Sequence, residues 1–214
     1  TFREILNVHF LKLLQRIFLK MRIIDLFSGV GGLTFGFYYR KYKDHFVRNR
    51  KNQFVFANEY NPFAAKAYSE NYPDIPMKNC DIKSLKESDI RKWIGSEPVD
   101  LIIGGPPCQS FSTVGQRNYD EKAQLYTEYL RVLKIARPKM FLFENVRGIL
   151  SMREIFYKRD AAGNILYELK DVEGRESLTP RKKPVIDHYG KSVMEILNDQ
   201  FSNLGNGLGY NIWT

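Results

Sequence analysis

This chain of 214 residues has little with which to cross-link itself or hold a metal: two cysteines and three histidines. Two cysteines cannot build a disulfide framework or a four-thiolate zinc site. The expected compartment is therefore reducing, the cytoplasm, and any cysteine chemistry rests on a free thiol. Long apolar runs are missing too. Residues 2–19 place Phe2, Ile5, Leu6, Phe10, Leu13, Leu14, Ile17 and Phe18 at helical spacing, but Lys12, Gln15 and Arg16 interrupt the run. That pattern predicts an amphipathic helix over residues 1–20, not a membrane span or a signal segment. Internal repeats and low-complexity linkers are absent as well. What is present, 43% hydrophobic and 27% charged residues, excludes a disordered chain and a membrane protein. An excess of 33 Lys and Arg over 24 Asp and Glu, net +9, points to a polyanionic partner, usually nucleic acid.

From Arg22 onward strand and helix patterns alternate. Strands are predicted at Arg22–Phe27, Phe54–Asn58, Met77–Cys80, Val99–Ile103 and Met140–Phe143. Helices are predicted from Leu33 to Tyr42, from Pro62 to Tyr72, irregularly up to Trp93, from Ala123 to Ala136 and from Ser192 to Leu204. This alternation indicates an α/β fold with a doubly wound, mainly parallel sheet covered on both faces. Ligands of such sheets bind at the carboxyl ends of the strands. Residues 153–188 break the rhythm: Ile155–Arg159 and Ile165–Leu169 flank Asp160-Ala-Ala-Gly-Asn164, the pattern of a hairpin, and a charged stretch with Arg181-Lys182-Lys183 completes a surface arm. Tyr210-Asn-Ile-Trp213 starts a further strand.

Chemistry concentrates at three strand ends. The first is Asp25-Leu-Phe-Ser-Gly-Val-Gly-Gly32, where glycines between strand and helix let a ligand approach the backbone and meet helix N–H groups. Dinucleotide, phosphate and nucleoside sites all use such turns; G-x-G-G spacing in place of G-x-G-x-x-G argues against NAD. Glu59, ending the next strand, is placed for ribose hydroxyls, and Asp81, ending the third, for an exocyclic amine of a bound base. The second strand end is Gly104-Gly-Pro-Pro-Cys-Gln-Ser-Phe-Ser112. Cys80 reads as a small core hydrophobe. Cys108, in a polar loop stiffened by two prolines, reads as an exposed nucleophile that acts as a thiolate. A metal site is not expected, since no second Cys or His stands at ligand spacing. The third is Phe143-Glu144-Asn145-Val146, where a carboxylate follows an apolar strand. Partial burial is expected to raise its pKa and suit it to proton donation; taken alone the segment fits a salt-bridged structural Glu better, and it is the combination with the other two strand ends that favours catalysis.

DLFSGVGG, GGPPCQSFS and FENV, in this order on a doubly wound sheet, resemble the cytosine C5 DNA methyltransferases, from about Met21 to the end of the chain. The resemblance implies a Rossmann-like S-adenosylmethionine-dependent methyltransferase fold. It further implies a cofactor site of Phe27, Ser28, Gly29, Gly31, Gly32, Leu33, Glu59, Tyr60, Asp81, Ile82, Pro106 and Leu125, yielding S-adenosylhomocysteine and needing no metal. Tyr60 and Ile82 would sandwich the adenine. Cys108 would be the nucleophile and Glu144 its acidic partner, while Ser110, Gln116, Arg117, Lys122 and Arg147 would contact double-stranded DNA.

Cytosine C5 is a poor nucleophile. Addition of a Cys108 thiolate to C6, with Glu144 serving N3, would make C5 attack the methyl group, and loss of the C5 proton would then expel the cysteine. The base would have to be flipped out of the duplex. Relatives of this family continue beyond a Gly-Tyr strand, matched here by Leu208-Gly-Tyr210, into a Gln-x-Arg-x-Arg segment, a last sheet strand and a target-recognition region. Residues 21–214 therefore read as an incomplete catalytic domain: a fragment, one subunit of a split restriction-modification enzyme joined by a second chain, or a degenerate relative. Two other readings stand beside the DNA enzyme, a tRNA cytosine C5 methyltransferase and a nucleic-acid-binding domain without turnover.

Overall fold

The computed structural model describes residues 21–107, 125–145, 147, 149, 153–164, 166–170 and 181–213, with the backbone alone for 154–157, 168–170 and 181–184. Five parallel strands form the central sheet: β1 (Arg22–Leu26), β4 (Gln53–Glu59), β5 (Met77–Asn79), β6 (Leu101–Gly104) and β7 (Met140–Phe143). Their order is β5-β4-β1-β6-β7. Arg-Ile-Ile-Asp-Leu of β1 pairs with β4 on one side and β6 on the other. The central strands are near-continuous apolar runs because both faces of a parallel sheet are covered by helices.

Side-chain alternation divides the core in two. Ile23, Phe54, Leu101 and Ile103 pack with Tyr38, Tyr68 and Tyr72, which belong to or follow α1 (Gly32–Tyr38) and α2 (Pro62–Asn71). Ile24, Leu26, Phe56 and Ile102 pack on the opposite face with Ile90, Leu133 and Leu197, from α3 (Glu87–Ile94), α4 (Leu125–Ala136) and α5 (Val193–Ser202). Helix starts follow local chemistry. Asn61 accepts from the N–H groups of Phe63 and Ala64 ahead of Pro62 in the first turn, and Ser192 and Glu195 form a capping box. The chain leaves β1 toward β4 and β5, then returns to the other side for β6 and β7. The strand order thus reverses between β1 and β6, the crevice where open α/β sheets place ligands.

Three segments differ from the sequence reading. The predicted helix from Leu33 ends at Tyr38, and Tyr39–Tyr42 forms β2, paired antiparallel with β3 (His45–Arg48). There Phe35 packs on both Tyr39 and Phe46, with ring centroids 5.1 Å apart in each pair; the Phe46 contact is the one that requires the chain to turn back. In the arm, β8 (Arg153–Tyr157) pairs not with β9 (Tyr167–Lys170) but with β11 (Ile186–Ser192), while β9 pairs with β10 (Arg181–Pro184). The turn between β8 and β9 falls where expected, closed by Asp160, whose carboxylate accepts from the N–H groups of Ala162 and Asn164. Tyr210–Trp213 forms no strand. Instead the Tyr210 N–H donates to the Phe201 carbonyl at 3.0 Å and its hydroxyl to the Pro138 carbonyl at 2.7 Å. The predicted helix over residues 1–20 lies outside the described residues.

Candidate functional site

At the carboxyl ends of β1, β4 and β6 lies a cavity of about 590 Å³ lined by Phe27, Asn58, Glu59, Tyr60, Asp81, Ile82, Lys83, Gly105, Pro107 and Leu125. Six of the expected cofactor residues therefore converge there: Phe27, Glu59, Tyr60, Asp81, Ile82 and Leu125. Ser28, Gly29, Gly31 and Gly32 form the turn beside it. Pro106 is buried, and Leu33 packs against the core on the α1 side of the sheet.

The turn is built on unusual backbone. Phe27, Gly29 and Gly31 all have positive φ, 55°, 56° and 96°, a region a bulky aromatic adopts only when its surroundings impose it. The Ser28 N–H donates to the Asn58 carbonyl at 3.0 Å and the Gly31 N–H to the Ser28 carbonyl at 2.9 Å. A Cβ on Gly31 would overlap the Tyr72 ring, whose hydroxyl donates to the Gly31 carbonyl at 2.8 Å. Glycine is required there both by φ and by space.

Glu59 ties this turn to β4. Its Oε2 accepts from the Gly29 N–H at 2.8 Å and its Oε1 from the Asn61 N–H at 2.7 Å. A carboxylate has about four acceptor sites, so both oxygens can still receive ligand hydroxyls. Asp81 caps a 3₁₀ turn (Ile82–Ser84), accepting from the Lys83 N–H at 2.9 Å through Oδ1. No hydrogen bond to its Oδ2 is seen among the described residues. The Asn58 amide joins the two strand ends by donating to the carbonyls of Lys78 and Cys80 at 2.9 and 3.0 Å. Tyr60 is 74% exposed, an apolar ring at the rim that a bound ligand would cover.

Beneath the turn lies a polar cluster that sequence reasoning did not single out. Asp25 is fully buried. Burial pushes its carboxyl up to about 7, against the Thr34 hydroxyl bond that favours the anion and with help from the Glu59 charge. Thr34 donates to Asp25 Oδ2 and shares a 2.8 Å hydrogen bond with the Tyr68 hydroxyl. Asp25 Oδ1 and Ser28 Oγ are buried without a partner among the described residues. An Asp inside the apolar run Ile-Ile-Asp-Leu-Phe was the one available signal.

The Glu144 N–H donates to the Gly104 carbonyl at 2.9 Å, fixing the segment after β7 against the end of β6. A Cβ on Gly105 would stand 2.6 Å from Glu144 Oε2, so glycine there makes room for the carboxylate. Glu144 is exposed, which corrects the expectation of partial burial. Among the described residues β7 is an edge strand, with Leu142 41% exposed. Arg147 is also exposed and lines a separate groove of about 730 Å³ along β7, not this cavity. Cys108, Ser110, Gln116, Arg117 and Lys122 lie outside the described residues; Pro107, next to Cys108 in sequence, lines the cavity wall. Cys80 is half-buried against the core. Among the described residues no group of three or more His, Cys, Asp or Glu could hold a metal ion.

Residues 21–172 match the family model of the C-5 cytosine-specific DNA methylases. The chain is 42% identical over 135 residues to the Type II methyltransferase M.AgeI of Thalassovita gelatinovora, covering 62% of this chain and 29% of that protein. It is 33% identical over 164 residues to the Type II methyltransferase M.BsuFI of Bacillus subtilis, covering 72% and 36%. The chain therefore spans about a third of the length of these relatives. Among solved structures it is similar to a DNA modification methyltransferase encoded within a prophage (E. coli), at TM-score 0.50 and 33% identity, covering 62% of this chain and 34% of that one. With its parallel sheet and its three strand-end segments, the chain belongs to the C-5 cytosine-specific DNA methylase family.

Proposed function

We propose that this chain carries the cofactor-binding and catalytic portion of an enzyme that methylates cytosine C5 in double-stranded DNA, within a bacterial restriction-modification system. The observation that carries the reading is the convergence of Glu59, Asp81, Tyr60 and Ile82 on one cavity that Pro107 and Gly105 wall on the other side. Two acceptors, an exposed ring and a buried aliphatic suit an adenosine: the Glu59 carboxylate for ribose hydroxyls, Asp81 Oδ2 for the adenine amine, Tyr60 and Ile82 for the faces of the base. S-adenosylmethionine bound there would supply an electrophilic methyl group.

This chain's residues would do the rest. Cys108 Sγ, as the thiolate, forms a bond to C6 of a flipped cytosine while Glu144 faces N3; the entering base would take the carboxyl out of water and favour the protonated form that can donate to N3. Electron density moves to C5, which takes the methyl group. Loss of the C5 proton then restores the ring double bond and releases Sγ. An exposed Glu144 at the strand end is accessible to a base entering from outside, and Gly105 keeps its approach open. Ser110, Gln116, Arg117, Lys122 and Arg147 are proposed to meet the DNA backbone.

Calorimetric titration with S-adenosylhomocysteine tests the cavity. Binding by the full chain that weakens at least tenfold in Glu59→Ala and Asp81→Ala is expected. Equal affinity in all three proteins would exclude this cavity as the cofactor site.

A further inference from the structure

Between residues 40 and 51 six Lys or Arg stand against a single Asp, so this short segment supplies more than half of the net charge of +9. It is the β2–β3 hairpin and its exit, and side-chain and backbone contacts tie down its base. The Arg48 guanidinium lies 3.8 Å from the centre of the Tyr38 ring and pairs with Asp74 at 3.0 Å. The Asn49 N–H donates to the Tyr38 carbonyl at 2.7 Å, and the Asn52 amide to the Phe37 carbonyl at 2.8 Å. One face of the ribbon is seated on α1 through Phe46 and Phe35.

Only Arg48 is spent on this anchoring. Arg40, Lys41, Lys43, Arg50 and Lys51 are exposed, and no acidic side chain pairs with them among the described residues. Arg40 and Lys43 flank the exposed Tyr42 ring, each 5.8 Å from its centre. The Gln53 N–H donates to the Met21 carbonyl at 2.8 Å, so the hairpin leaves the sheet at the amino ends of its strands. The cavity lies at the carboxyl ends, one strand length or about 17 Å away. These cations therefore cannot serve the ligand in the cavity.

We infer that the β2–β3 hairpin is a second, sequence-independent grip on the phosphate backbone of duplex DNA, outside the catalytic cleft. Unpaired cations on a fixed ribbon meet what phosphate contacts need, since affinity comes from counterion release and requires no base readout. Exposed Tyr42 between two cations adds a surface suited to sugar and base edges. A bilayer is the poorer match, because the tip is Lys43-Asp44 and offers no aliphatic prow to insert. This inference extends the DNA reading to another surface, and its test avoids the target base.

The probe is a 24-base-pair duplex of A·T pairs only, which holds no cytosine, titrated with the full chain across 50–200 mM salt. Arg40→Ser/Lys41→Ser/Lys43→Ser is expected to bind roughly tenfold more weakly near 100 mM salt, with a salt slope shallower by about two to three. Lys86→Ser/Lys92→Ser/Lys134→Ser removes the same charge from the start and body of α3 and from α4 and is expected to change affinity less than threefold. Unaltered S-adenosylhomocysteine binding in both variants would show intact cavities. Equal losses in the two variants, or no loss in the hairpin variant, would overturn the inference, as would binding to anionic phosphatidylserine vesicles with none to the duplex. Failure of methyl transfer even with the remaining length of a relative supplied would sink the catalytic reading while leaving this result standing.

Discussion

Replacing Asp25 by Asn isolates one charge and makes a large, signed change. Asp25 is fully buried in β1, and its carboxyl is pushed from 3.8 up to about 7, chiefly by burial. Between those values the folded chain holds a proton that the unfolded chain has lost, so stability falls as pH rises. The contribution is fully present below about pH 4 and is lost by the time pH passes 7. In the middle of that window each pH unit removes a little over 1 kcal/mol, the slope halves at either end, and the full loss is about 4 kcal/mol. Asn keeps an oxygen for the Thr34 hydroxyl and cannot titrate, so it should abolish this dependence. Other shifted groups act elsewhere: Asp74, Asp160 and Glu195 are held below the usual carboxylate range, so their contributions fade as pH falls through the acid region, and Tyr38 and Tyr210 are pushed up to about 12. The assay is urea unfolding at half-unit steps from pH 5 to 8. The wild-type chain should lose about 2 kcal/mol between pH 5 and 7 and level off above it, while Asp25→Asn stays nearly flat. Parallel curves for the two proteins would refute the reasoning.

Three further outcomes follow from the site. Gly31→Ala forces a Cβ into the Tyr72 ring at φ 96°, and should cost about 2–3 kcal/mol in urea unfolding and abolish S-adenosylhomocysteine binding. Tyr72→Phe removes only the hydroxyl that holds the Gly31 carbonyl, and should cost about 1 kcal/mol with a few-fold loss of cofactor affinity by calorimetry. Gly105→Ala pushes on the free end of the Glu144 side chain, so thermal stability should hold while methyl transfer drops about 100-fold; undiminished transfer would argue against a role for that carboxylate.

The sheet and its ligand edge were legible because β4, β6 and β7 are apolar runs closed by Asn58 and Glu59, by Gly104 and by Glu144. Glu59 could be read as an acceptor from its place at the end of such a run and Asp81 from its place after the short third strand, and the cavity does collect both. The buried cluster was not legible. Asp25, Thr34 and Tyr68 meet from one strand and two helices, with 34 positions between the last two, and nothing local marks that meeting. The β2 segment was misread as helix because Tyr-Tyr-Arg-Lys-Tyr continues the aromatic spacing of α1; only the pairing with His45–Arg48 turns it into a strand. Burial of Glu144 was overestimated because hydrophobicity of β7 does not say that one of its edges is open.

The central claim is that Cys108 attacks a cytosine while the cavity holds the methyl donor. Its most direct measurement is covalent trapping on duplex DNA containing 5-fluorocytosine, with S-adenosylmethionine present, by the full chain alone and with the remaining length of a relative such as M.BsuFI supplied. The account predicts a denaturation-resistant protein–DNA adduct in at least one arm, carrying the methyl group and lost in Cys108→Ser. No adduct in either arm, from protein that is folded and binds the cofactor, would contradict it.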